Sequence, residues 1–286
     1  MSANPVTAFV FAGGGSLGAV QVGMLQALVA NGLQPDFVVG SSAGAINAAY
    51  FAGAPDAAGV ARLGQLWRTV RRKDIMPLSL RGILAMLVHR QTSLIGVDGM
   101  RRLLERHLVY GKIERSLLRL HIVATDYQLG NEVVLSAGPL IEAVMASAAI
   151  PGIFPPVRIA GRDLVDGGVA NNTPVSVAVG LGAARIVVLP AGFACALRRP
   201  PVGAVAQVMH ALSLLVARQL LRDLAYYASA ADIIVVPPLC PLDVSPYDYT
   251  ACASLIERAA FSTRHWLEEG GMQQTSVPMQ LHEHHH

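Results

Sequence analysis

Apolar and polar residues alternate along this chain as strands and helices in turn. An apolar run at residues 6–11 leads into a glycine loop at residues 13–18, and apolar residues then recur at helical spacing as far as Asn31-Gly32. A second apolar run at residues 37–39 leads into Gly40-Ser41-Ser42-Ala43-Gly44 and an alanine-rich stretch. The pattern predicts two consecutive strand-loop-helix units.

The rest of the chain continues the same alternation. Further strands are predicted at residues 121–125, 132–136, 163–165, 185–189 and 232–236. Further helices are predicted at residues 57–72, 80–88, 99–108, 139–148, 205–228 and 250–268. This order predicts a single α/β domain over residues 1–280, with three layers and a largely parallel central sheet between helices. The chemistry is expected at the carboxyl ends of the strands.

Composition narrows the class of protein. Hydrophobic residues make up 53% and charged residues 14% of the 286 residues, which is enough apolar material for a large core. No run of about 18 residues is free of charged and strongly polar groups, so no transmembrane helix is predicted. No basic region precedes the first apolar run, so no secretory signal is predicted and a cytoplasmic location is expected. The net charge of +3, without a basic run interleaved with aromatics, does not indicate nucleic-acid binding.

No metal or cofactor is expected from the residues that usually bind one. Cys195, Cys240 and Cys252 form neither a CxxC pair nor a cluster with histidine, as a zinc site would require. Residues 281–286 read Leu-His-Glu-His-His-His and resemble a purification tag, so their histidines carry no metal argument.

Ser42 is a candidate nucleophile because of the element order around it. In a nucleophile elbow a strand turns sharply into a helix, and small residues such as Gly40 and Gly44 let the backbone pass closely while the serine hydroxyl stands exposed. The N-terminus of the following helix adds positive potential. The alternative is an ordinary strand-to-helix turn.

The glycine loop allows two interpretations. It satisfies GxGxxG from Gly13 to Gly18, but a dinucleotide site also needs an acidic residue at the end of the second strand, and here Asp36 precedes that strand. The other interpretation is an oxyanion hole, because glycine amides beside Ser42 can face the negative charge that develops during acyl transfer. Its candidate donors are the amides of Gly13, Gly14, Gly15 and Ala43, with Gly14 and Gly15 favoured within the loop.

Serine needs a base, and two candidates follow Ser42 in the chain. Asp166 comes after a short apolar strand and precedes Gly167-Gly168, so its carboxylate is expected at a tight turn, although aspartate is also a common turn former. His265 alone among the histidines has the Ser, Asp, His order of an α/β-hydrolase, but it lies in a predicted helix. His89, His107, His121 and His210 are interpreted as surface or structural residues.

Taken together, the blocks at residues 13–18, 40–44 and 166–168 resemble the patatin-like phospholipase family in order and spacing, and residues 146–156 resemble that family's segment before the aspartate. The resemblance implies a Ser-Asp dyad in which Ser42 attacks an acyl carbonyl, Asp166 acts as base and then acid, and the glycine loop is the oxyanion hole. Gly18, Gly40, Gly44, Gly167 and Gly168 complete the motifs. Leu17 stands where the family often has Arg or Lys, which weakens the expectation of phospholipid preference more than that of hydrolase activity.

The resemblance implies a serine lipid acyl hydrolase of the phospholipase A or lysophospholipase kind. A Ser-His-Asp carboxylesterase using His265 and a catalytically silent lipid-binding relative are the alternatives. Residues 80–88 carry apolar residues at helical spacing with arginines nearby, so residues 74–97 are a candidate lid or a candidate segment for transient contact with a membrane surface, although an ordinary packed helix is the favoured interpretation. A helix packed on the sheet would show the same spacing. Nothing in the sequence indicates the oligomeric state.

Overall fold

Eight strands form one sheet in this structure, a computed structural model that describes residues 5–75, 97–192, 203–242 and 244–273. The strands run in the order β5-β6-β3-β2-β1-β7-β8, and β4 also pairs with β3. They are β1 Thr7–Phe11, β2 Phe37–Ser41, β3 Arg119–Asp126, β4 Glu132–Leu135, β5 Val157–Ile159, β6 Arg162–Asp166, β7 Arg185–Leu189 and β8 Asp232–Val235.

Helices cover both faces of this sheet. In the described residues they are α1 Gly18–Ala30, α2 Ala43–Gly53, α3 Ala57–Thr69, α4 Arg72–Ile75, α5 Asp98–His107, α6 Leu140–Ser147, α7 Val175–Gly180, α8 Ala204–Tyr227 and α9 Cys252–Glu268. Single 3-10 turns lie at Gly15–Leu17, Ile113–Arg115, Gly167–Val169 and Gly271–Gln273. The predicted α/β class with its central sheet and helical layers is confirmed.

The central strands are apolar on both sides because both sides are covered. Along β1, Phe9 and Phe11 pack into the core shared with α1, α2 and α9, whereas Ala8 and Val10 pack into the core shared with α7 and α8. Successive side chains of a strand point to opposite faces, so an unbroken apolar run is the pattern of a strand between two helical layers.

The sheet is parallel in its centre and antiparallel at one edge. Strands β3, β2, β1, β7 and β8 are parallel, and β4 and β6 both pair antiparallel with β3. Strand β3 is eight residues long, whereas β2 has five, so β3 extends past the end of β2. Its extension pairs with β6, which runs back toward Ser42.

Several predicted elements differ from the structure in detail. The helix expected at residues 57–72 ends at Thr69, because Val70 is extended, and the short α4 follows. Strand β5 and helix α7 were not predicted, since the first directly follows a proline-rich stretch and the second follows two asparagines and a proline. The helix predicted at residues 80–88, most of the candidate lid at 74–97 and the tag-like residues 281–286 lie outside the described residues. Among the helices that are described, none is both long and apolar enough to span a bilayer.

Candidate active site

Ser42 lies on the turn between β2 and α2, as the elbow motif predicts. Its backbone has φ 53° and ψ −124°, a left-handed conformation that costs energy for a residue with a side chain. The turn is tight enough that a Cβ on Gly44 would meet the carbonyl oxygen of Phe11, and one on Gly40 would lie 2.5 Å from the carbonyl oxygen of Gly44. The two flanking glycines are therefore required by close backbone packing at the serine.

Ser147 holds the Ser42 backbone in this conformation. The Ser42 N–H donates to Ser147 Oγ over 2.9 Å, and the Ser147 hydroxyl donates to the carbonyl oxygen of Val123 over 2.5 Å. Ser147 is fully buried, so the bonds replace water that neither group can reach. The side chain thus ties the elbow to β3.

Asp166 reaches Ser42 through the register of the sheet. Ser41 at the end of β2 pairs with Val123, and Asp166 at the end of β6 pairs with the next residue, Ala124. Since β6 is antiparallel to β3, its carboxyl end arrives at the carboxyl end of β2. The structure therefore brings together two residues that are 124 positions apart in the chain.

The Ser42 hydroxyl donates a hydrogen bond to Asp166 Oδ2 over 2.6 Å. The other carboxylate oxygen, Oδ1, accepts the Gly168 N–H over 2.8 Å. Ser42 and Asp166 are 8% and 6% exposed, and burial raises the Asp166 pKa to about 6 against the opposing effect of both hydrogen bonds. The pair thus has the geometry of a nucleophile and an adjacent base.

Thr125 fixes the turn that carries Asp166. Its hydroxyl donates to the carbonyl oxygen of Asp166 over 2.8 Å and accepts the Ala170 N–H over 3.1 Å. A Cβ on Gly167 would meet the carbonyl oxygen of Val123, and one on Gly168 would lie 3.0 Å from Asp166 Oδ1. The two glycines after the aspartate are needed for its carboxylate to approach the elbow.

The glycine loop lies beside Ser42 on the parallel neighbour β1. The Gly13 N–H donates to the carbonyl oxygen of Asn172 over 2.9 Å. The N–H groups of Gly14, Gly15 and Ala43 have no acceptor in the described part of the chain. These three amides can therefore donate to an incoming group, and the Gly13 amide is already engaged.

A distant segment packs against the same loop. The Ser16 N–H donates to the carbonyl oxygen of Pro246 over 2.8 Å, and the Ser16 hydroxyl donates to the carbonyl oxygen of Ser245 over 3.2 Å. The next residue, Tyr247, is half-buried, and its pKa is raised by burial and by the negative charge of Asp166. Its phenol therefore lies within electrostatic range of the serine-aspartate pair.

The histidines of the described residues lie elsewhere. His265 is on the exposed face of α9, where its Nε2 is 3.3 Å from Glu269 Oε1 and its side chain is 64% exposed. His121 lies on β3, and its Nδ1 is 2.7 Å from Ser136 Oγ. In the portion of the chain that the structure describes, no histidine hydrogen-bonds to Ser42 or Asp166; His89 lies outside it.

Four residues around the site were not singled out in the sequence: Ser147, Thr125, Asn172 and Tyr247. Ser147 and Asn172 lie next to motif residues, in the stretch before Asp166 and shortly after Gly168. Thr125 and Tyr247 carry no local signal, because strand register and chain path bring them to the site.

The position of Asp36 does not fit a dinucleotide site. Asp36 precedes β2 and accepts the Thr7 N–H over 2.7 Å at the opposite end of the strand from Ser42. Within the described ranges there is no group of three His, Cys, Asp or Glu residues that could hold a metal ion.

Comparison with known proteins shows which proteins this chain is similar to. Over 185 residues the chain is 31% identical to an uncharacterized NTE family protein of Mycobacterium tuberculosis, covering 64% of this chain and 48% of that protein. It is 30% identical over 187 residues to patatin-like phospholipase domain-containing protein 7 of Rattus norvegicus, covering 65% of this chain and 13% of that protein. The matched region thus spans about half of the first relative and a small part of the second.

Among solved structures, the chain is similar to VipD from Legionella pneumophila, with a TM-score of 0.47 and 17% identity over 94% of this chain and 68% of that chain. The sequence model of the family described as patatin-like phospholipase matches residues 9–179, which include all three motif blocks and both Ser42 and Asp166. Because this match spans more than half of the 286 residues, the chain belongs to the patatin-like phospholipase family.

Proposed function

We propose that this chain is a serine-dependent lipid acyl hydrolase that uses Ser42 as nucleophile and Asp166 as its base. One observation carries the proposal: the Ser42 hydroxyl, held on a strained elbow, donates directly to the buried Asp166 carboxylate over 2.6 Å. A carboxylate whose pKa is raised toward neutrality takes a proton more readily than an ordinary aspartate.

In the first half of the reaction, Ser42 Oγ attacks the acyl carbonyl carbon while its proton passes to Asp166 Oδ2. The tetrahedral intermediate then collapses: the bond to the leaving alcohol breaks, and Asp166 returns the proton to the alcohol oxygen. The product is an acyl-enzyme on Ser42 and a free alcohol, which for a lipid is the glycerol-bearing fragment.

In the second half, water attacks the acyl-enzyme carbonyl and gives one proton to Asp166. Collapse of this intermediate breaks the bond to Ser42 Oγ, which regains the proton from Asp166, and releases the fatty acid. A single carboxylate serves both halves because it returns to its starting state after each one.

The negative charge of each intermediate needs donors on the other side of Ser42. We assign this role to the amides of Gly14, Gly15 and Ala43, which have no acceptor among the described residues. Gly13 then allows the loop to approach Ser42 closely, because a Cβ at this position would meet Asn172 Oδ1 and lie 3.1 Å from Ser42 Cβ.

Family membership is the support for a lipid substrate, and the alcohol part of the lipid is left to experiment. Leu17 stands where the family often has Arg or Lys. Its side chain is buried in the core and supplies no charge to the site. We therefore propose an acyl ester of a lipid as the substrate, with phospholipid, lysophospholipid and neutral lipid as the classes to compare.

The test is a hydrolysis screen across these classes with Ser42→Ala as the control. The proposal expects fatty-acid release from at least one class by the wild type and none by Ser42→Ala. A fluorophosphonate probe is expected to label the wild type once, at Ser42. A folded wild type that is neither labelled nor active on any class would contradict the proposal and favour the alternative of a lipid-binding relative.

We also propose transient contact with a lipid surface through the first half of α8. Gln219 Nε2 donates to the carbonyl oxygen of Ala170, just after the Asp166 turn, so the preceding part of α8 runs past the site edge of the sheet. Residues 207–217 contain no charged side chain, and Val208, Leu212 and Leu215 are exposed. Exposed apolar residues grouped in this way mark a surface that contacts a protein or a membrane.

A further inference from the structure

Three buried polar side chains, on α1, α2 and α3, form a continuous hydrogen-bonded chain beside the glycine loop. The Trp67 indole N–H donates to Asn47 Oδ1 over 2.8 Å, and Asn47 Nδ2 donates to Gln21 Oε1 over 2.7 Å. Gln21 and Asn47 are fully buried and Trp67 is nearly so. Neither the elbow motif nor the glycine motif includes any of the three.

The chain of hydrogen bonds has only one direction. An indole N–H can only donate, so Asn47 must turn its amide oxygen toward Trp67 and its amide nitrogen toward Gln21. Gln21 must then accept with Oε1 and donate with Nε2. The indole N–H of Trp67 therefore determines the orientation of both side-chain amides.

The two amides bind the backbone at both ends of the glycine loop. Gln21 Nε2 donates to the carbonyl oxygen of Ala12 over 2.7 Å, and Asn47 Nδ2 donates to the carbonyl oxygen of Gly18 over 2.9 Å. Gln21 Nε2 also donates to the carbonyl oxygen of Leu189 at the end of β7 over 2.9 Å. Residues 13–17, with the Gly14 and Gly15 amides, lie between these two anchors.

The same side chains connect the loop to the nucleophile. Asn47 lies on α2, the helix that Ser42 caps, and a Cβ on Gly18 would lie 2.9 Å from the Trp67 ring. A displacement of Asn47 would therefore change the position of the loop relative to Ser42. Catalysis by oxyanion donors is sensitive to such small displacements.

We propose that Gln21, Asn47 and Trp67 are positioning residues that hold the glycine loop at a fixed position relative to Ser42. The inference rests on the proposed function, since it assigns the Gly14 and Gly15 amides to the oxyanion. None of the three side chains touches the reacting atoms. Their effect acts through the backbone at Ala12 and Gly18.

The first test is Trp67→Phe, which removes the indole N–H together with the outer ring atoms that lie nearest Gly18. We expect kcat for a short-chain ester to fall about tenfold with KM within about twofold, because the transition state loses aligned donors and the ground state does not. Rates are taken per active serine, titrated with a fluorophosphonate, so that misfolded protein is not counted. Trp266→Phe, on α9, is the matched control and is expected to keep the wild-type kcat.

The second test is Gln21→Met, which keeps the volume but removes the side-chain donor to the Ala12 carbonyl oxygen. The Leu189 carbonyl oxygen loses one of its two donors and keeps the Ala12 N–H. Affinity for a trifluoromethyl ketone, which forms an oxyanion on Ser42, is expected to fall by the same factor as kcat/KM. A purely structural role would lower the fraction of active serine and leave both quantities per active serine unchanged. That result in Trp67→Phe and Gln21→Met would overturn the proposal.

Hydrogen exchange gives a readout that does not depend on activity. In Trp67→Phe, the amides of residues 12–18 are expected to exchange faster than in the wild type, with little change in β7 and α9. Unchanged exchange in the glycine loop would contradict the positioning role of these residues even if no substrate were found. Conversely, faster exchange in Trp67→Phe, together with a wild type that no fluorophosphonate labels, would support the positioning role and refute the proposed hydrolase.

Discussion

At the scale of single residues, the site depends on a carboxylate that is buried, where its ionised form is disfavoured. Asp166 is 6% exposed and its charge is balanced by hydrogen bonds from Ser42 and Gly168, without an ion pair in the described residues. Burial disfavours the ionised form, which raises the pKa to about 6 and makes the carboxylate a better base. The same property has consequences for both rate and stability.

The rate of ester hydrolysis is expected to fall with acidification through about pH 6, since only the ionised Asp166 can take the Ser42 proton. The measurement is kcat/KM of the wild type against pH with a short-chain ester, whose ionisation does not change in that range. A plateau that continues down to pH 4.5 would show that no group with the Asp166 pKa limits the reaction.

Stability is expected to follow the opposite direction. The folded-state pKa of Asp166 lies above the ordinary value of 3.8, so the folded state binds this proton more tightly than the unfolded state. The stabilisation is complete below pH 3.8 and is lost as pH rises through about 6. Relative to Asp166→Asn, the free energy of unfolding of the wild type should therefore fall by about 2 kcal/mol between pH 4.5 and pH 7. Urea unfolding of both proteins at the two pH values measures this difference, and a constant difference would contradict the raised pKa.

Ser147→Ala is expected to weaken the elbow. The variant leaves the Ser42 N–H and the Val123 carbonyl oxygen buried without a partner, at a cost of about 1–3 kcal/mol for such a group. We expect a lower melting temperature together with a lower kcat per active serine, because the Ser42 backbone loses its restraint. Ser136→Ala, which removes an exposed hydroxyl bonded to His121, is the control. Equal melting temperatures and rates in all three proteins would exclude this role for Ser147.

At the scale of secondary-structure elements, the first half of α8 is the proposed lipid-contact surface, so changes there should affect hydrolysis of lipid aggregates and not of soluble substrates. Leu212→Glu and Leu215→Glu place a charge at apolar positions that are 48% and 66% exposed and that lie outside the buried core. We expect hydrolysis of anionic vesicles to fall several-fold and hydrolysis of a soluble short-chain ester to stay unchanged. Phe261→Glu, an exposed apolar position on α9, is the matched control. Equal loss on both substrates, or equal loss in the control, would contradict a docking role for α8.

The elements themselves follow well from the sequence where the pattern is local. The two strand-loop-helix units were predicted because each apolar run ends in glycines that only a tight turn requires, and β1, β2, α1 and α2 confirm them. Strand β5 was missed because its alternation covers three residues after a proline-rich stretch, which is too short to give a period.

At the scale of the whole molecule, the contacts that make the site are the ones that local patterns do not contain. Asp166 meets Ser42 because β3 is longer than β2 and pairs antiparallel with β6, and register between distant strands is not encoded in either strand alone. The family resemblance named both residues before any register was known.

Two further long-range facts lie beyond the sequence pattern. The Gly13 amide is engaged because residues 172 and 13 meet across the site, a contact that the glycine motif alone does not indicate. Pro246 and Tyr247 reach the loop from more than two hundred residues away. Motifs identify the groups that can react, and the fold decides which of them are free to do so.

The central claim is that Asp166, and no histidine, serves Ser42 as the base. The most direct test is steady-state hydrolysis of one short-chain ester by wild type, Asp166→Asn and His265→Ala, with rates per folded protein. We expect Asp166→Asn to lower kcat by about a thousandfold, within the range for loss of a general base, and His265→Ala to keep the wild-type rate. Full activity in Asp166→Asn with loss of activity in His265→Ala would contradict the assignment of Asp166 as the base.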